Sequence, residues 1–217
     1  MYIEKINTPE DIKKYNINEL EVLAQELREA IINKVSDCGG HLASNLGIVE
    51  LTIALHYVFD APKDKFVFDV SHQTYCHKML TGRKAAFIKK ENYKDVTGFS
   101  NPKESEYDLF ALGHTSTSVS LACGLAKARD LKHDSENVIA VIGDASLDGG
   151  EAFEALNCAA EINSNLIVVI NDNEMSIPEN HGALGRHLKQ LKESAGKQKD
   201  NFFKALGLKT EMTWNPL

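Results

Sequence analysis

The sequence contains no long run of apolar residues and no charged-then-apolar leader at its beginning. A membrane-spanning helix needs about 20 consecutive, mostly apolar residues, and a secretory leader needs a basic start followed by an apolar stretch. The absence of both patterns excludes the usual signals for membrane insertion or export. We therefore expect a cytoplasmic protein without a membrane partner.

Basic charge is also scarce. Lysine and arginine together number 24 against 31 acidic residues, which gives a formal net charge of −7. Because nucleic-acid-binding proteins carry a dominant basic patch, this balance argues against a nucleic-acid partner. The four cysteines, Cys38, Cys76, Cys123 and Cys158, form no C-x-x-C pair. We expect reduced, mostly buried thiols and no zinc site.

The most informative stretch is residues 138–176. A short apolar run at 138–142 is typical of a fully buried parallel strand, and it ends at Gly143-Asp144. A helical pattern follows at 150–161, and a second apolar run at 166–170 ends in polar residues. Strand, helix and strand in this order predict a right-handed βαβ unit in an α/β fold. Both polar tips then lie at the carboxyl ends of neighbouring strands, where open α/β sheets bind ligands.

Residues at these two tips are candidates for a metal site. Asp144 and Asn173 lie about one crossover apart in the sequence. A carboxylate and an amide oxygen at adjacent strand ends can share a hard cation such as Mg²⁺. The backbone carbonyl of Met175 is a candidate third ligand. An alternative stays open, because Asp and Asn also simply end strands and cap helices.

Two histidines are candidate functional residues. His41 directly follows Gly39-Gly40, and His72 follows a predicted strand at 66–70. Imidazole suits proton transfer because its unperturbed pKa lies near neutrality. A lone histidine is more often structural, and that interpretation stays open for His41.

The first half of the sequence is otherwise mostly helical in pattern. Asn18 and Glu21 resemble a capping box at the start of a helix that ends near Gly39-Gly40. A second helix at 47–59 is apolar over most of its surface, which predicts that it is buried. Its one acid, Glu50, is expected to be exposed or paired.

A third helix is expected to open at 113–118, where Thr and Ser side chains would supply its caps. His77 and Lys78 are most simply solvated. The segment 104–108 carries three acids and is expected to lie at the surface.

Several motifs together resemble a known family. Gly143-Asp144, followed one crossover later by Asn171-Asp172-Asn173-Glu174-Met175-Ser176, resembles the thiamine-diphosphate signature of transketolase-like enzymes. More narrowly, it resembles the 1-deoxy-D-xylulose-5-phosphate synthase family. The other matching motifs are Gly39-Gly40-His41-Leu42-Ala43-Ser44-Asn45-Leu46-Gly47, Asp69-Val70-Ser71-His72-Gln73 and Gly113-His114-Thr115-Ser116-Thr117-Ser118. The resemblance runs from about Ile3 to about Leu208, whereas residues 210–217 do not match the family convincingly.

The resemblance implies a fold, cofactors and residue roles. The fold would be α/β, with a mostly parallel sheet flanked by helices on both faces, and the cofactors would be thiamine diphosphate and Mg²⁺. The implied catalytic residues are His41, which would face cofactor and substrate, and His72, which would relay protons beside the diphosphate. The implied cofactor contacts are His72, Gly113, His114, Thr115, Asp144, Ala145, Ser146, Asn173 and Met175. Among these, the metal ligands would be Asp144, Asn173 and Met175.

The sequence departs from the family at two positions where glycine is usual. Ser71 and Ala145 replace these glycines. A residue with a Cβ is costly at such a position only if its φ is positive, when about 1 kcal/mol or more is lost.

The resemblance also implies a reaction. Synthases of this family condense pyruvate with glyceraldehyde 3-phosphate with loss of CO₂, for isoprenoid, thiamine and pyridoxal synthesis. Residues 1–217 resemble only the diphosphate-binding domain, without the pyrimidine-binding domain that offers the activating glutamate and without the C-terminal domain. We expect a single domain that is inactive alone and works as a homodimer or with a pyrimidine-domain chain. Two alternatives stay open: the N-terminal subunit of a split transketolase, and a degenerate, non-catalytic binding protein marked by Ala145.

Overall fold

A three-stranded parallel sheet forms the centre of the fold. The computed structural model describes residues 1–172, 182–198 and 201–213. The strands are β1 (Lys65–Phe68), β2 (Val138–Gly143) and β3 (Leu166–Asn171), in the order β1-β2-β3. Phe68 lies opposite Val141, and Gly143 lies opposite Asn171. All three carboxyl ends therefore leave the sheet at one edge, as the predicted βαβ unit requires.

Helices surround this sheet. Within the described residues, the α-helices are α1 (Ile17–Cys38), α2 (Ala43–Leu46), α3 (Val49–Val58), α4 (Tyr75–Lys78), α5 (Ala85–Ile88), α6 (Ser118–Lys132), α7 (Asp144–Leu147), α8 (Gly150–Ile162), α9 (Ala183–Glu193) and α10 (Phe202–Ala205). Helical turns of other types lie at Ile3–Lys5, Pro9–Lys14, Met79–Arg83 and Lys90–Asn92. None of the helices in the described ranges is long and apolar enough to cross a membrane.

Both faces of the sheet are covered, which confirms the predicted architecture. In β2, Ala140 and Ile142 belong to a core with α6, α8 and α9. The intervening Ile139 and Val141 belong to a second core with β1 and α3. A central strand that is buried on both faces needs apolar side chains at every position, which explains its continuous apolar run.

Helix α1 begins two residues earlier than its predicted capping box. The N-cap is Asn16, whose side chain accepts the Glu19 N–H at 3.1 Å while the Glu19 carboxylate accepts the Asn16 N–H at 2.8 Å. Asn18 and Glu21 repeat the same pattern two positions later in the sequence. The prediction chose this second pair, which is the wrong one. The helix ends as expected, because Gly39 adopts a φ of 76°.

Helix α3 is buried on one side only, so the expectation of a fully buried helix was wrong. Val49 and Ile53 are buried, whereas Val58 is 67% exposed. The exposed side forms a shallow apolar groove with the beginning of α1. Glu50 is paired, as one reading of it predicted, because both its oxygens bond Arg28, at 2.5 and 2.6 Å.

His77 and Lys78 are buried, which contradicts the expectation that they are solvated. His77 Nδ1 lies 2.9 Å from His56 Nε2, and His77 Nε2 lies 3.2 Å from Asp108 Oδ1. Lys78 Nζ donates to Glu104 Oε2 at 2.5 Å. The sequence could not reveal this burial, because the partner acids lie 26 and 31 positions away.

The expectation that the acids of 104–108 lie at the surface holds for Glu106 but is wrong for Glu104 and Asp108. Arg83 donates to both oxygens of Asp108, at 2.7 and 2.8 Å. Asp108 in turn accepts the backbone N–H of Asn101 at 2.8 Å. Burial alone would raise the pKa of Asp108, but the hydrogen bonds from His77 and Arg83 hold it well below its usual range. These bonds fix the segment 97–108, called here the covering loop, against the rest of the domain.

We predict that the buried histidines make the fold sensitive to mild acid. Burial lowers the pKa of His77, and burial together with His77 lowers the pKa of His56 well below its ordinary value of 6.5. As the pH falls, these histidines take up protons in the unfolded chain before they do so in the folded chain. Their contribution to stability is therefore fully present above about pH 6.5 and is lost as the pH drops below it. The free energy of unfolding should fall by at most about 1.4 kcal/mol per pH unit for each histidine that stays neutral in the folded chain.

Urea unfolding between pH 8 and pH 5 measures this slope. His56→Phe should reduce this slope, because one titrating group is removed. His133→Asn, at an exposed left-handed position after α6, is the matched control and should leave the slope unchanged. A slope that is the same in wild type and His56→Phe would contradict the prediction.

Candidate functional site

The two candidate histidines lie side by side. The ring centroids of His41 and His72 are 5.4 Å apart with an interplanar angle of 84°, and Phe99 of the covering loop lies 5.0 Å from His41. The backbone can bring His41 to this position beside His72 because Gly40 precedes it. A Cβ at Gly40 would lie 2.7 Å from the Tyr75 hydroxyl, and its φ is 139°, so only glycine fits there.

The backbone that leads to His72 is strained. Val70 has a φ of 57° and Ser71 a φ of 68°, and left-handed conformations cost about 1–2 kcal/mol in residues that carry a Cβ. The Ser71 side chain offsets part of this cost, because its Oγ accepts the Ser100 N–H of the covering loop at 2.9 Å. Strain of this kind persists only where the surrounding structure enforces it, and it clusters at functional sites.

The environment of His72 favours a neutral imidazole. Burial, and next the neighbouring His41, lower the pKa of His72, against the opposite effect of Asp69. Its Nδ1 atom is buried and has no hydrogen-bond partner among the described residues. A neutral ring with a free nitrogen lone pair can accept a proton at neutral pH.

Asp69 connects the end of β1 to the beginning of α6. Its carboxylate is buried and accepts the Ser116 N–H at 2.8 Å and the Ser118 N–H at 2.9 Å. The N-cap residue of α6, Thr117, makes no side-chain capping bond. The expectation that Thr and Ser side chains cap this helix was therefore wrong. The acceptor is the carboxylate of Asp69, which lies directly after β1.

Ser116 extends the connection to the end of β2. Its hydroxyl donates to the Ser146 carbonyl at 2.7 Å, and its φ is 72°. Its side chain fills the space where a Cβ at Gly149 would lie, which requires glycine at that position. The segment 111–117, called here the α6 loop, is thus bonded to both the strand-end segment 69–74 and the turn 143–149.

Those predicted contact residues that the structure describes lie on these connected segments. Asp144 is only 8% exposed and opens α7 directly after β2. Gly113, His114 and Thr115 are exposed on the α6 loop, and His114 Nδ1 lies 2.8 Å from the Thr115 carbonyl. None of the described residues comes within 4 Å of the Cβ position at Gly113 or Gly143. In the described part of the chain, this edge of the sheet therefore combines a buried carboxylate with two glycines that no other side chain covers.

Two of the three predicted metal ligands, Asn173 and Met175, lie outside the described residues. Within the described ranges, no group of three or more His, Cys, Asp or Glu side chains could hold a metal ion. The predicted set contains only one such side chain, Asp144. The pairing of Gly143 with Asn171 places Asp144 and Asp172 directly after the ends of two neighbouring strands.

Sequence reasoning missed three residues that organise this edge: Asn45, Asp69 and Ser116. Each lies inside one of the motifs that resemble the family, but the sequence analysis assigns none of the three a role of its own. The signal that could have indicated Asp69 is a charged residue directly after an apolar strand, where a buried carboxylate needs donors.

Comparison with known proteins identifies the family. A family profile described as 1-deoxy-D-xylulose-5-phosphate synthase matches residues 3–213. The chain belongs to the 1-deoxy-D-xylulose-5-phosphate synthase family. The matched range extends past Leu208 into the segment after Thr210, so the expectation that this last segment departs from the family was wrong up to residue 213.

Individual synthases are similar over most of the chain. The 1-deoxy-D-xylulose-5-phosphate synthase of Carboxydothermus hydrogenoformans is 57% identical over 190 residues, which are 88% of this chain and 30% of that protein. The synthase of Dictyoglomus turgidum is 55% identical over 193 residues, 89% of this chain and 31% of that protein. The synthase of Desulforudis audaxviator is 56% identical over 182 residues, which are 84% of this chain and 29% of that protein. The chain thus spans about 30% of the length of the synthases that it matches.

The alanine that departs from the synthase pattern causes no backbone strain. Ala145 is exposed, lies within α7, and is not among the residues with positive φ. The cost that a left-handed alanine would carry therefore does not apply. This removes the main structural reason to regard the site as degenerate.

We predict that restoring glycine at this position weakens the fold and does not improve binding. Ala145→Gly should lower the free energy of unfolding by about 0.5–1 kcal/mol, because glycine gives up more backbone entropy in a helix. Its affinity for thiamine diphosphate with Mg²⁺ should stay within about threefold of wild type, a difference below 1 kcal/mol. Ala54→Gly, at an exposed position of α3, is the matched control for stability. A tenfold or larger gain of affinity in Ala145→Gly would show instead that the methyl group obstructs the cofactor.

Proposed function

We propose that this chain is the diphosphate- and Mg²⁺-binding part of a 1-deoxy-D-xylulose-5-phosphate synthase. The complete enzyme would condense pyruvate with glyceraldehyde 3-phosphate, with loss of CO₂, to feed isoprenoid and thiamine synthesis in the cytoplasm. The carrying observation is that motifs matched to the family converge on one edge of the sheet. Asp69 bonds Ser116, and Ser116 bonds Ser146, at 2.8 and 2.7 Å.

The donor set at this edge fits a metal-bound diphosphate. Asp144 would hold Mg²⁺ together with the Asn173 amide and the Met175 carbonyl, a combination of one carboxylate and neutral oxygens that Mg²⁺ prefers alongside phosphate. The exposed residues Gly113, His114 and Thr115, with Ala145 and Ser146, would line the diphosphate. The chain carries a net charge of −7, and a bound cation would offset the repulsion between it and an anionic cofactor.

The chain's own contribution to the chemistry would be binding and proton transfer. Bound thiamine diphosphate supplies the carbanion source that lets pyruvate lose CO₂ and pass on its two-carbon unit. His72, kept neutral by burial and by His41, would accept or return a proton beside the reacting carbonyl. His41 would face the cofactor and the substrate.

A complete site would need a second component. A pyrimidine-binding domain, from another segment or another chain, would supply the glutamate that activates the cofactor ring. We propose a homodimer, or a complex with a pyrimidine-domain chain, as the working assembly. The match to the synthase family supports this reaction over that of a split transketolase, and the unstrained Ala145 supports it over a degenerate protein.

Two measurements on the purified 217-residue chain test the proposal. Calorimetry should detect binding of thiamine diphosphate that depends on Mg²⁺, and incubation with pyruvate and glyceraldehyde 3-phosphate should give no steady product. After a pyrimidine-domain partner is added, release of CO₂ from pyruvate should accompany product formation.

Three results would overturn it. Steady product from the chain alone would refute the need for a partner. Ketose transfer without CO₂ release would indicate the transketolase alternative. Failure to bind thiamine diphosphate with or without the partner would indicate a non-catalytic protein.

A further inference from the structure

Asn45 is a fully buried amide that joins three segments of the chain. It lies in α2, between the two histidine-bearing segments, and is 0% exposed. Its Nδ2 donates to the His41 carbonyl at 2.6 Å and to the His72 carbonyl at 2.8 Å. Its Oδ1 accepts the backbone N–H of Tyr75 at 2.9 Å.

The two donor bonds act on the carbonyl groups of the two candidate histidines themselves. The carbonyls of His41 and His72 belong to segments that are 31 residues apart in the sequence, and Asn45 contacts both. A carboxamide presents two N–H donors and one oxygen acceptor in a single plane, which this arrangement needs. Aspartate lacks the two donors, and serine has only one, so neither reproduces the set.

The strained backbone before His72 explains why such a clamp is needed. Val70 and Ser71 are left-handed, with φ of 57° and 68°, and they would relax if the following residue were free to move. Asn45 holds His72 on one side, and the bond from Ser100 to Ser71 holds the preceding residue on the other. The mutual placement of the two rings is therefore imposed from outside the histidine segments.

We propose that Asn45 is a positioning residue that sets the distance and angle between His41 and His72. The catalytic meaning of this placement rests on the proposed function, whereas the placement itself does not. Both donor bonds of Asn45 go to backbone carbonyls, so it acts through the backbone of both residues. Misplacing catalytic groups by about 1 Å can cost about 100-fold in rate, so the completed enzyme carrying Asn45→Ala should lose activity on that scale.

The test uses nuclear magnetic resonance on the purified chain without cofactor. In wild type, ring protons of His41 and His72 should show a nuclear Overhauser contact, and the titration of His72 should lie below that of an ordinary histidine. In Asn45→Ala the contact should disappear and the titration of His72 should shift upward, since His41 no longer lies beside it. The substitution adds no charge, so a shift reports geometry.

A matched control separates positioning from general stability. Thr52→Val removes another fully buried hydrogen bond, from Thr52 Oγ1 to the Ile48 carbonyl at 2.8 Å, away from the histidine pair. It should lower the unfolding temperature while leaving the ring contact and the titration of His72 unchanged. Should Asn45→Ala fail to fold, Asn45→Ser, which retains one hydroxyl donor, provides the same readouts.

Folded Asn45→Ala or Asn45→Ser chains with an unchanged ring contact and an unchanged His72 titration would overturn the proposal. This outcome is distinct from a failure of the proposed function, because neither readout needs thiamine diphosphate. A chain that binds no cofactor could still show the Asn45 effect, and a chain that binds it could lack the effect.

Discussion

Replacing Asp144 by alanine is expected to abolish the binding of thiamine diphosphate that depends on Mg²⁺. Asp144 is the only charged group in the proposed ligand set, and Mg²⁺ sites in proteins rely on one or two carboxylates. Without it, the protein's remaining ligands, the Asn173 amide and the Met175 carbonyl, would contribute no negative charge to the ion. Since loss of a supporting residue around a metal already costs about 10–100-fold, loss of this ligand should weaken binding by about 100-fold or more. Calorimetry with and without Mg²⁺ measures the change.

The matched control for Asp144 lies at the other end of the same strand. Asp134 precedes β2 and is exposed, so Asp134→Ala removes the same charge without touching the site. It should leave the affinity within about threefold of wild type, less than 1 kcal/mol. Equal affinities for Asp144→Ala and wild type would exclude Asp144 as a metal ligand.

Replacing Asp69 by alanine is expected to cause the largest loss of stability. Its buried carboxylate accepts two backbone N–H groups, at 2.8 and 2.9 Å. Removing it leaves both donors at the start of α6 without an acceptor, and hydrogen bonds to charged groups contribute about 1.5–3 kcal/mol each. The free energy of unfolding should fall by about 3–5 kcal/mol, and the α6 loop should lose its connection to β1. Urea unfolding measures the first effect, and cofactor affinity measures the second.

Asp64 is the control that separates these two effects. It lies just before β1, is buried, and accepts the Asp60 and Asn137 N–H groups, each at 2.7 Å. Asp64→Ala should therefore destabilise the fold to a similar degree. Its affinity for thiamine diphosphate, measured where both variants are folded, should remain that of wild type. Equal affinity losses in the two variants would mean that Asp69 acts on the site only through overall stability.

The parts of the fold with short-range signals could be predicted from the sequence. The apolar runs of β2 and β3 identified both strands. The polar residues that follow β2 and β1 placed Asp144 and His72 at the carboxyl ends of strands. The predictions went wrong where two local signals competed or where the partner was distant. Asn16 and Asn18 both precede a Glu by three positions, so the pattern alone could not select the cap.

Burial of polar groups was the main feature that local patterns could not reveal. His77 and Lys78 look like ordinary surface residues of a short helix, and their burial depends on Asp108 and Glu104 in the covering loop. Asn45 and Asp69 look like turn residues, yet their hydrogen bonds reach 27 to 49 positions along the chain. The strand ends that carry the candidate residues were thus predictable from local patterns, whereas the interactions that hold these segments together were not.

A crystal structure of the chain with Mg²⁺ and thiamine diphosphate would test the central claim most directly. The proposal predicts one ion at about 2.0–2.1 Å from a carboxylate oxygen of Asp144, with the Asn173 amide oxygen, the Met175 carbonyl and the diphosphate bound to the same ion. An ion and diphosphate bound elsewhere, or Asp144 and Asn173 directed to different sides of the sheet, would contradict it.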